Sequence, residues 1–243
     1  MGVGESVLDL FFPPACAACG GVLAGPGHFC EACGWEVLEL PSARCRTCAE
    51  PGEFRSDLCP RCLARPPPFE RVHAAFAHEG AVARVIHRFK YEDHPELASP
   101  LAQMLAESLG PVLKGSDAPT HVCALPLHPA RRAERRFDQA ELLAGALARR
   151  LGLRRLFLLE RVRKTARQVG LAETAREENV AGAFRVRGRG RAGARSAEGL
   201  ALLLVDDVVT TGATARAAAE ALLGAGARSV QVAAVARAFT PRP

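Results

Sequence analysis

The 243 residues, 49% hydrophobic and 24% charged, are enough for one ordinary soluble domain plus a smaller one, and no run of eighteen apolar residues exists to span a membrane. The formal net charge of +6 comes almost wholly from arginine. It suits an anionic partner such as a nucleotide, a diphosphate or a nucleic acid, and equally suits a genome biased towards arginine codons.

In chain order, residues 1–14 carry an apolar patch interrupted by acids at Glu5 and Asp9, with no basic leader region. They read as folded protein and not as an export signal, so a cytoplasmic location is expected. Eight of the nine cysteines follow in four Cys-x-x-Cys pairs: Cys16/Cys19, Cys30/Cys33, Cys45/Cys48 and Cys59/Cys62. Ten residues separate the first pair from the second and the third from the fourth, and eleven lie between the middle pairs. The unit is thus repeated.

Two thiolates in a tight turn can point at one ion, and two such turns complete a tetrahedral four-sulfur site. Disulfides would need an export signal, and a redox motif would need one pair after a strand and not four in tandem. The expectation is about two structural zinc ions per chain. The equal spacing favours sequential pairing, with cross-bracing as the alternative. This stretch is short of aliphatic residues and needs such a staple to fold. Cys123, in an apolar run, reads as a small core residue.

The Arg-Pro-Pro-Pro run at 65–68 reads as a linker. It divides a double zinc ribbon at 1–65 from a second domain at 66–243. There the pattern predicts strands over 71–77, 121–127, 157–159, 201–205 and 229–235. Helices are predicted over 80–89, 97–109, 137–151 and 213–223. In the helix at 137–151, Leu142, Leu143, Ala146 and Leu147 fall in step. Strands alternating with helices imply an α/β fold with a mainly parallel sheet. The stretch 185–195 alternates arginine with small residues and reads as a surface loop or hairpin tip. Its arginines Arg187, Arg189 and Arg191 are candidate nucleic-acid contacts.

The segment 202–214 carries the chemistry. An apolar strand ends in Asp206 and Asp207, and a turn of Thr210, Thr211, Gly212, Ala213 and Thr214 opens a helix. Ligands of open α/β sheets bind at the carboxyl ends of strands. The turn amides and the helix N-terminus attract an anion. Gly212 lets the backbone close in, and the threonine hydroxyls add donors for a 5′-phosphate. The two acids can accept hydrogen bonds from ribose 2′- and 3′-hydroxyls. A Walker B strand would require a Walker A motif elsewhere, and the sequence contains none.

This segment, from Asp206 through Val208 and Val209 to Thr214, resembles the phosphoribosyl pyrophosphate (PRPP) loop of type I phosphoribosyltransferases. The whole chain is similar to the ComF family of phosphoribosyltransferase-fold competence proteins. The similarity rests on Phe-Pro-Pro-Ala-Cys-Ala-Ala-Cys at 12–19, Ile-His-Arg-Phe-Lys-Tyr at 86–91 and Leu-Pro-Leu-His at 125–128. It continues in Arg-Arg-Phe-Asp-Gln at 135–139 and Lys-Thr-Ala-Arg-Gln at 164–168. Where the family has glycine this chain has Arg136, although a turn needing φ > 0 resists a side chain.

The resemblance implies a type I phosphoribosyltransferase-like sheet that binds PRPP with Mg2+. It also implies a flexible loop at 161–179 whose Lys164 and Arg167 neutralise diphosphate. Two functions follow. One is phosphoribosyl transfer, or PRPP-linked handling of incoming DNA. The other is a non-catalytic zinc-ribbon adaptor that binds single-stranded DNA and works with a DNA-translocating helicase.

Overall fold

A computed structural model describes residues 13–110, 113, 115, 117–163, 180–187 and 197–239. Among these residues five parallel strands form one sheet, in the order β1 (Val72–Ala77), β7 (Ser229–Arg237), β6 (Ala201–Val209), β2 (His121–Ala124) and β3 (Arg154–Leu156). Two further strands, β4 (Leu159–Arg161) and β5 (Phe184–Val186), pair as an antiparallel hairpin. The helices of the sheet domain are α3 (Gly80–Tyr91), α4 (Ala98–Leu109), α5 (Pro129–Arg135), α6 (Gln139–Leu151) and α7 (Ala213–Gly224). In the cysteine-rich region, short helices α1 (Glu31–Gly34) and α2 (Pro60–Ala64) contain the second cysteine of the second and fourth pairs, Cys33 and Cys62. The expected mainly parallel sheet flanked by helices, with a small cysteine-rich module, is found.

Strand residues alternate between two cores, as the pleat requires. Leu202, Leu204, Val230 and Val232 face one side, with α7. Leu203, Val205, Ala233 and Val235 face the other, with α3, α4 and α6. A parallel sheet covered on both faces can use unbroken apolar strands, which is why Leu202–Leu203–Leu204–Val205 can all be fully buried. Cys123 lies in the first core, where burial pushes its thiol up to about 12, so it is an inert packing residue.

Several boundaries differ from the sequence pattern. Strand β2 stops at Ala124 because Pro126 cannot donate to a ladder. The edge strand β3 lies at Arg154–Leu156, ahead of the predicted 157–159. Strand β6 runs on to Val209 and so contains both acids. Helix α5 was not anticipated: none of its residues is buried, so no apolar period marks it. Its signals are local, Pro129 in the first turn and His128 Nδ1 accepting from the Ala130 amide at 3.2 Å. In α6, Leu143, Ala146 and Leu147 are buried, whereas Leu142 is exposed. Arg136 adopts φ +60 although it has a side chain. Its guanidinium is held by Asp93 at 2.5 Å, in an ion pair too exposed to stabilise the turn by much.

The two cysteine repeats share one construction. In the first, the Cys16 amide donates to Gly21 and the Gly20 amide returns to Cys16, with Gly20 at φ +77. In the second, the Cys45 amide donates to Glu50 and the Ala49 amide returns to Cys45, with Ala49 at φ +57. The cysteine that begins each closing pair, Cys30 or Cys59, is the N-cap of a short helix. Both ribbons dock on the sheet domain. Glu39 bridges Phe76 antiparallel, and Val72 and Ala77 donate to Thr47 and Leu38, which covers the edge strand β1. On α3, Arg88 donates to the carbonyls of Cys16 and Ala17 and Arg84 reaches Cys33 Sγ at 3.5 Å.

Candidate functional site

Chain order makes a crevice at the carboxyl end of the sheet. From β2 the chain moves outward to β3, and from β6 it moves the opposite way to β7, by helices on opposite faces. The crevice between the two strands is a topological switch point. A cavity of about 550 Å³ lies there. Its walls are the β6 end with residues 206–210, Gly212 and Thr214; Leu125 and Leu127 after β2; His78 just after β1; and Ile86, His87, Lys90 and Tyr91 from α3. Arg131 and Arg135 from α5, Gln139 from α6 and Arg161 from β4 complete it.

The loop after β6 follows from Gly212, which caps α7 with φ +82 and ψ 3. That left-handed geometry brings the α7 N-terminus to face the cavity, with Gly212 and Thr214 in its wall. Two residues of the predicted loop lie elsewhere. Thr211 turns its hydroxyl back to accept from the Ala213 amide at 3.3 Å, and Ala213 is buried in the core. The opposite wall is fixed by Asp138, the N-cap of α6, which accepts from the Leu127 amide at 2.9 Å and the Glu141 amide at 3.3 Å. In the Arg-Arg-Phe-Asp-Gln motif, Asp138 therefore shapes the wall and only Arg135 and Gln139 line the space.

Sequence reasoning does not assign the cations inside to this site; it reads the arginine-rich segment 131–136 as a single-stranded DNA contact instead. Lys90 Nζ lies 2.7 Å from Asp207 Oδ1 in a mostly buried ion pair. Arg135 stacks on Tyr91, 4.8 Å from the ring centroid, and also donates to Gln139 Oε1. Lys90 and Tyr91 were visible within the 86–91 motif, but nothing in their spacing relates them to Asp207. Of the other predicted residues, Arg187 lies at the end of the β4–β5 hairpin, its Nε donating to Leu159. Lys164, Arg167, Arg189 and Arg191 lie outside the described residues.

Burial, and then the charge of Asp207, push the Asp206 carboxyl up to about 7, against the pull of Lys90 and Arg161. The sign of the linkage is set by that rise. Between the ordinary carboxylate range and about 7 the folded state binds more protons than the unfolded one. This contribution to stability is complete at low pH and is lost as pH rises through about 7. Asp206→Asn should therefore stabilise the ligand-free protein at about pH 8 by on the order of 2 kcal/mol and much less at about pH 5.5. Thermal melts of both proteins across that range would show it, and parallel curves would overturn it.

The eight paired cysteines fall into two groups, Cys16/Cys19/Cys30/Cys33 and Cys45/Cys48/Cys59/Cys62, with the sulfur atoms of each within 4.8 Å of one another. The grouping is sequential and not cross-braced. Cys19 and Cys30 Sγ are 3.8 Å apart, and Cys48 and Cys59 Sγ are 3.6 Å apart. The edge of a tetrahedron with Zn–S bonds of about 2.3 Å is about 3.8 Å. These are two four-cysteine zinc-binding sites, and four thiolates leave no open position for catalysis.

The double zinc ribbon domain family matches residues 7–63, and the phosphoribosyl transferase domain family matches residues 138–241. The chain is 33% identical over 206 residues to DNA utilization protein YhgH of Salmonella typhimurium, covering 84% of this chain and 87% of that one. It is 26% identical over 232 residues to competence protein F of Haemophilus influenzae, covering 94% and 99%. Among solved structures, the glutamine PRPP amidotransferase of B. subtilis, complexed with ADP and GMP, aligns at 22% identity and a TM-score of 0.38. That alignment covers 61% of this chain and 30% of the amidotransferase. No helix among the described residues is long and apolar enough to cross a membrane. With paired ribbons, a phosphoribosyltransferase-like sheet and relatives matched along most of their length, the chain belongs to the ComF family.

Proposed function

We propose that the cavity binds PRPP with Mg2+ and that the protein transfers or otherwise handles its phosphoribosyl group. The observation that carries this reading is the meeting, in one cavity, of the Asp206–Asp207 pair, the glycine-capped start of α7 and four cations. The 5′-phosphate sits on the turn at Thr210, Gly212 and Thr214, held by backbone amides and the hydroxyls of Thr210 and Thr214. The ribose hydroxyls donate to Asp206 and Asp207. Lys90, Arg131, Arg135 and Arg161 supply the positive potential that a diphosphate requires, with Lys164 and Arg167 as further candidates from the segment between β4 and β5. The oxygen-only donors of the acid pair suit a hard divalent cation, which would neutralise diphosphate oxygens when bound. In transfer, the bond from C1 to the diphosphate breaks while a bond from C1 to the acceptor nucleophile forms, and diphosphate leaves with its electron pair. Residues 1–65 serve as the ribbon module and 66–243 as the domain that holds this site.

Asp206→Asn combined with Asp207→Asn should leave the fold intact and weaken PRPP·Mg2+ binding. Each carboxylate lost costs roughly 1.5–3 kcal/mol of charge-assisted hydrogen bonding, hence a hundredfold or more in total. Titration calorimetry measures this, and an unchanged affinity would place the ribose elsewhere. Diphosphate release from PRPP with a panel of nucleobases then tests transfer itself.

The names of the relatives, DNA utilization protein and competence protein F, point towards DNA, and a second reading is a single-stranded DNA adaptor that would work with a translocating helicase in the cytoplasm. Charge reversal at Arg187, Arg189 and Arg191 should then reduce retention of single-stranded DNA and flatten its salt dependence. Retention unaffected by the reversal would remove these arginines from any DNA path.

A further inference from the structure

Arg237, the last residue of β7, is 1% exposed, although each of its neighbours Ala233–Val235 fills the same sheet with an apolar side chain. A guanidinium there is costly unless its donors are met. They are met from two directions. Nη1 donates to the carbonyls of Val209 at 3.2 Å, Thr210, and Ala238 at 2.6 Å. Nε donates to the carbonyl of Cys48 at 3.1 Å, and Nη2 meets Glu50 Oε2 at 2.5 Å. One side chain thus joins the start of the turn 210–214 to a zinc-ligating residue of the second ribbon. On the far side of that turn, Arg216 of α7 donates to the carbonyls of Arg65 and Pro66, each at 3.0 Å, just beyond the same ribbon. The first ribbon docks elsewhere, on Arg84 and Arg88 of α3.

We infer that the second zinc ribbon is a positioning element for the phosphate turn, and that Arg237 is the positioning residue through which a filled Cys45/Cys48/Cys59/Cys62 site fixes the carbonyls of Val209 and Thr210. Apart from Ala49, which packs into the sheet-domain core, and the Thr47 carbonyl, which accepts from Val72, the ribbon has little apolar burial to give it shape. Its buried cluster is the four cysteines, with only Phe54 and Leu58 packed against them. Without the ion the Cys48 carbonyl and Glu50 lose their fixed place. Arg237 is then left to satisfy its donors by moving, and the turn moves with it. A phosphate cradle depends on donor positions held to a fraction of an ångström, so a small shift there weakens binding without unfolding the sheet.

Only the affinity arm of the test rests on the reading of the cavity as a PRPP site. Hydrogen exchange of the ligand-free, full-length protein is followed in peptides covering 208–214 and 202–205. Cys59→Ser should raise exchange at 208–214 about tenfold and leave 202–205 unchanged, whereas Cys30→Ser, in the first ribbon, should leave both unchanged. Arg237→Met should raise exchange at 208–214 alone, and adding Cys59→Ser to it should raise it no further, because the two changes break one connection. Should Arg237→Met not fold, Glu50→Gln takes its place in the cycle. In Cys59→Ser and Arg237→Met, but not in Cys30→Ser, PRPP·Mg2+ affinity should fall at least fivefold. Protection at 208–214 unaltered by Cys59→Ser, an equal loss in Cys30→Ser, or additive effects in the double variant would each overturn the inference. If wild-type protein binds no PRPP, the PRPP reading fails while the exchange measurements still decide this one.

Discussion

Replacing Gly212 with valine is expected to abolish binding of PRPP·Mg2+, with a loss of at least a hundredfold. Gly212 sits at φ +82 and ψ 3 as the cap of α7. A Cβ built there would meet only Phe69 Cζ, at 3.7 Å, an ordinary contact. Space is therefore not what excludes a side chain. The backbone angle is, because left-handed geometry costs an L-residue about 1–2 kcal/mol and a β-branched one more. Valine relieves the strain by moving φ, which rotates the peptides on either side of residue 212 and with them the amides that face the cavity. Gly212→Ala should show a smaller loss, since it meets the same angle without the branch. Calorimetry on folded variants, checked by circular dichroism, measures both. The valine variant should also retain single-stranded DNA as wild type does if DNA rides on the arginine segments. Equal losses of PRPP and DNA, here and in the Arg187, Arg189 and Arg191 reversal, would place both ligands in one shared groove.

The second large effect concerns zinc. The protein should carry about two zinc ions, and Cys16→Ser or Cys59→Ser should each remove about one and unfold the ribbon concerned. The first ribbon's buried cluster holds little beyond Cys16, Ala18, Leu23, Cys33 and Ala81, and the second's holds only its four cysteines. Apolar burial on that scale cannot offset the conformational entropy of ordering about thirty residues. Metal binding is the folding energy here, at about 10–16 kcal/mol for a structural site near neutral pH. Elemental analysis of protein purified without chelator decides it, and an absence of zinc would overturn it. Because residues 38–39 and 47 cover strand β1, loss of both ions should also expose that edge and promote association at high concentration.

The sequence by itself determined what short-range chemistry controls. Cys-x-x-Cys spacing places two sulfurs on one turn, and the equal intervals between pairs anticipated the sequential grouping. The apolar run Leu202–Leu203–Leu204–Val205 marked the central strand, and the glycine after two threonines marked the turn that follows it. Helices α3, α4, α6 and α7 were legible because each buries one periodic face. Helix α5 was not, because it buries nothing, and β4 and β5 were not, because each is three residues long and exists only by pairing with the other. The tertiary structure alone decided which distant charges share the site. Lys90 reaches Asp207, and Arg237 reaches both Cys48 and Thr210, through contacts between segments far apart in the chain. A local pattern fixes the angle of a turn or the face of a helix. Parallel strand order depends on which segments pack together, and only that packing brings Lys90 within 2.7 Å of an acid on another element.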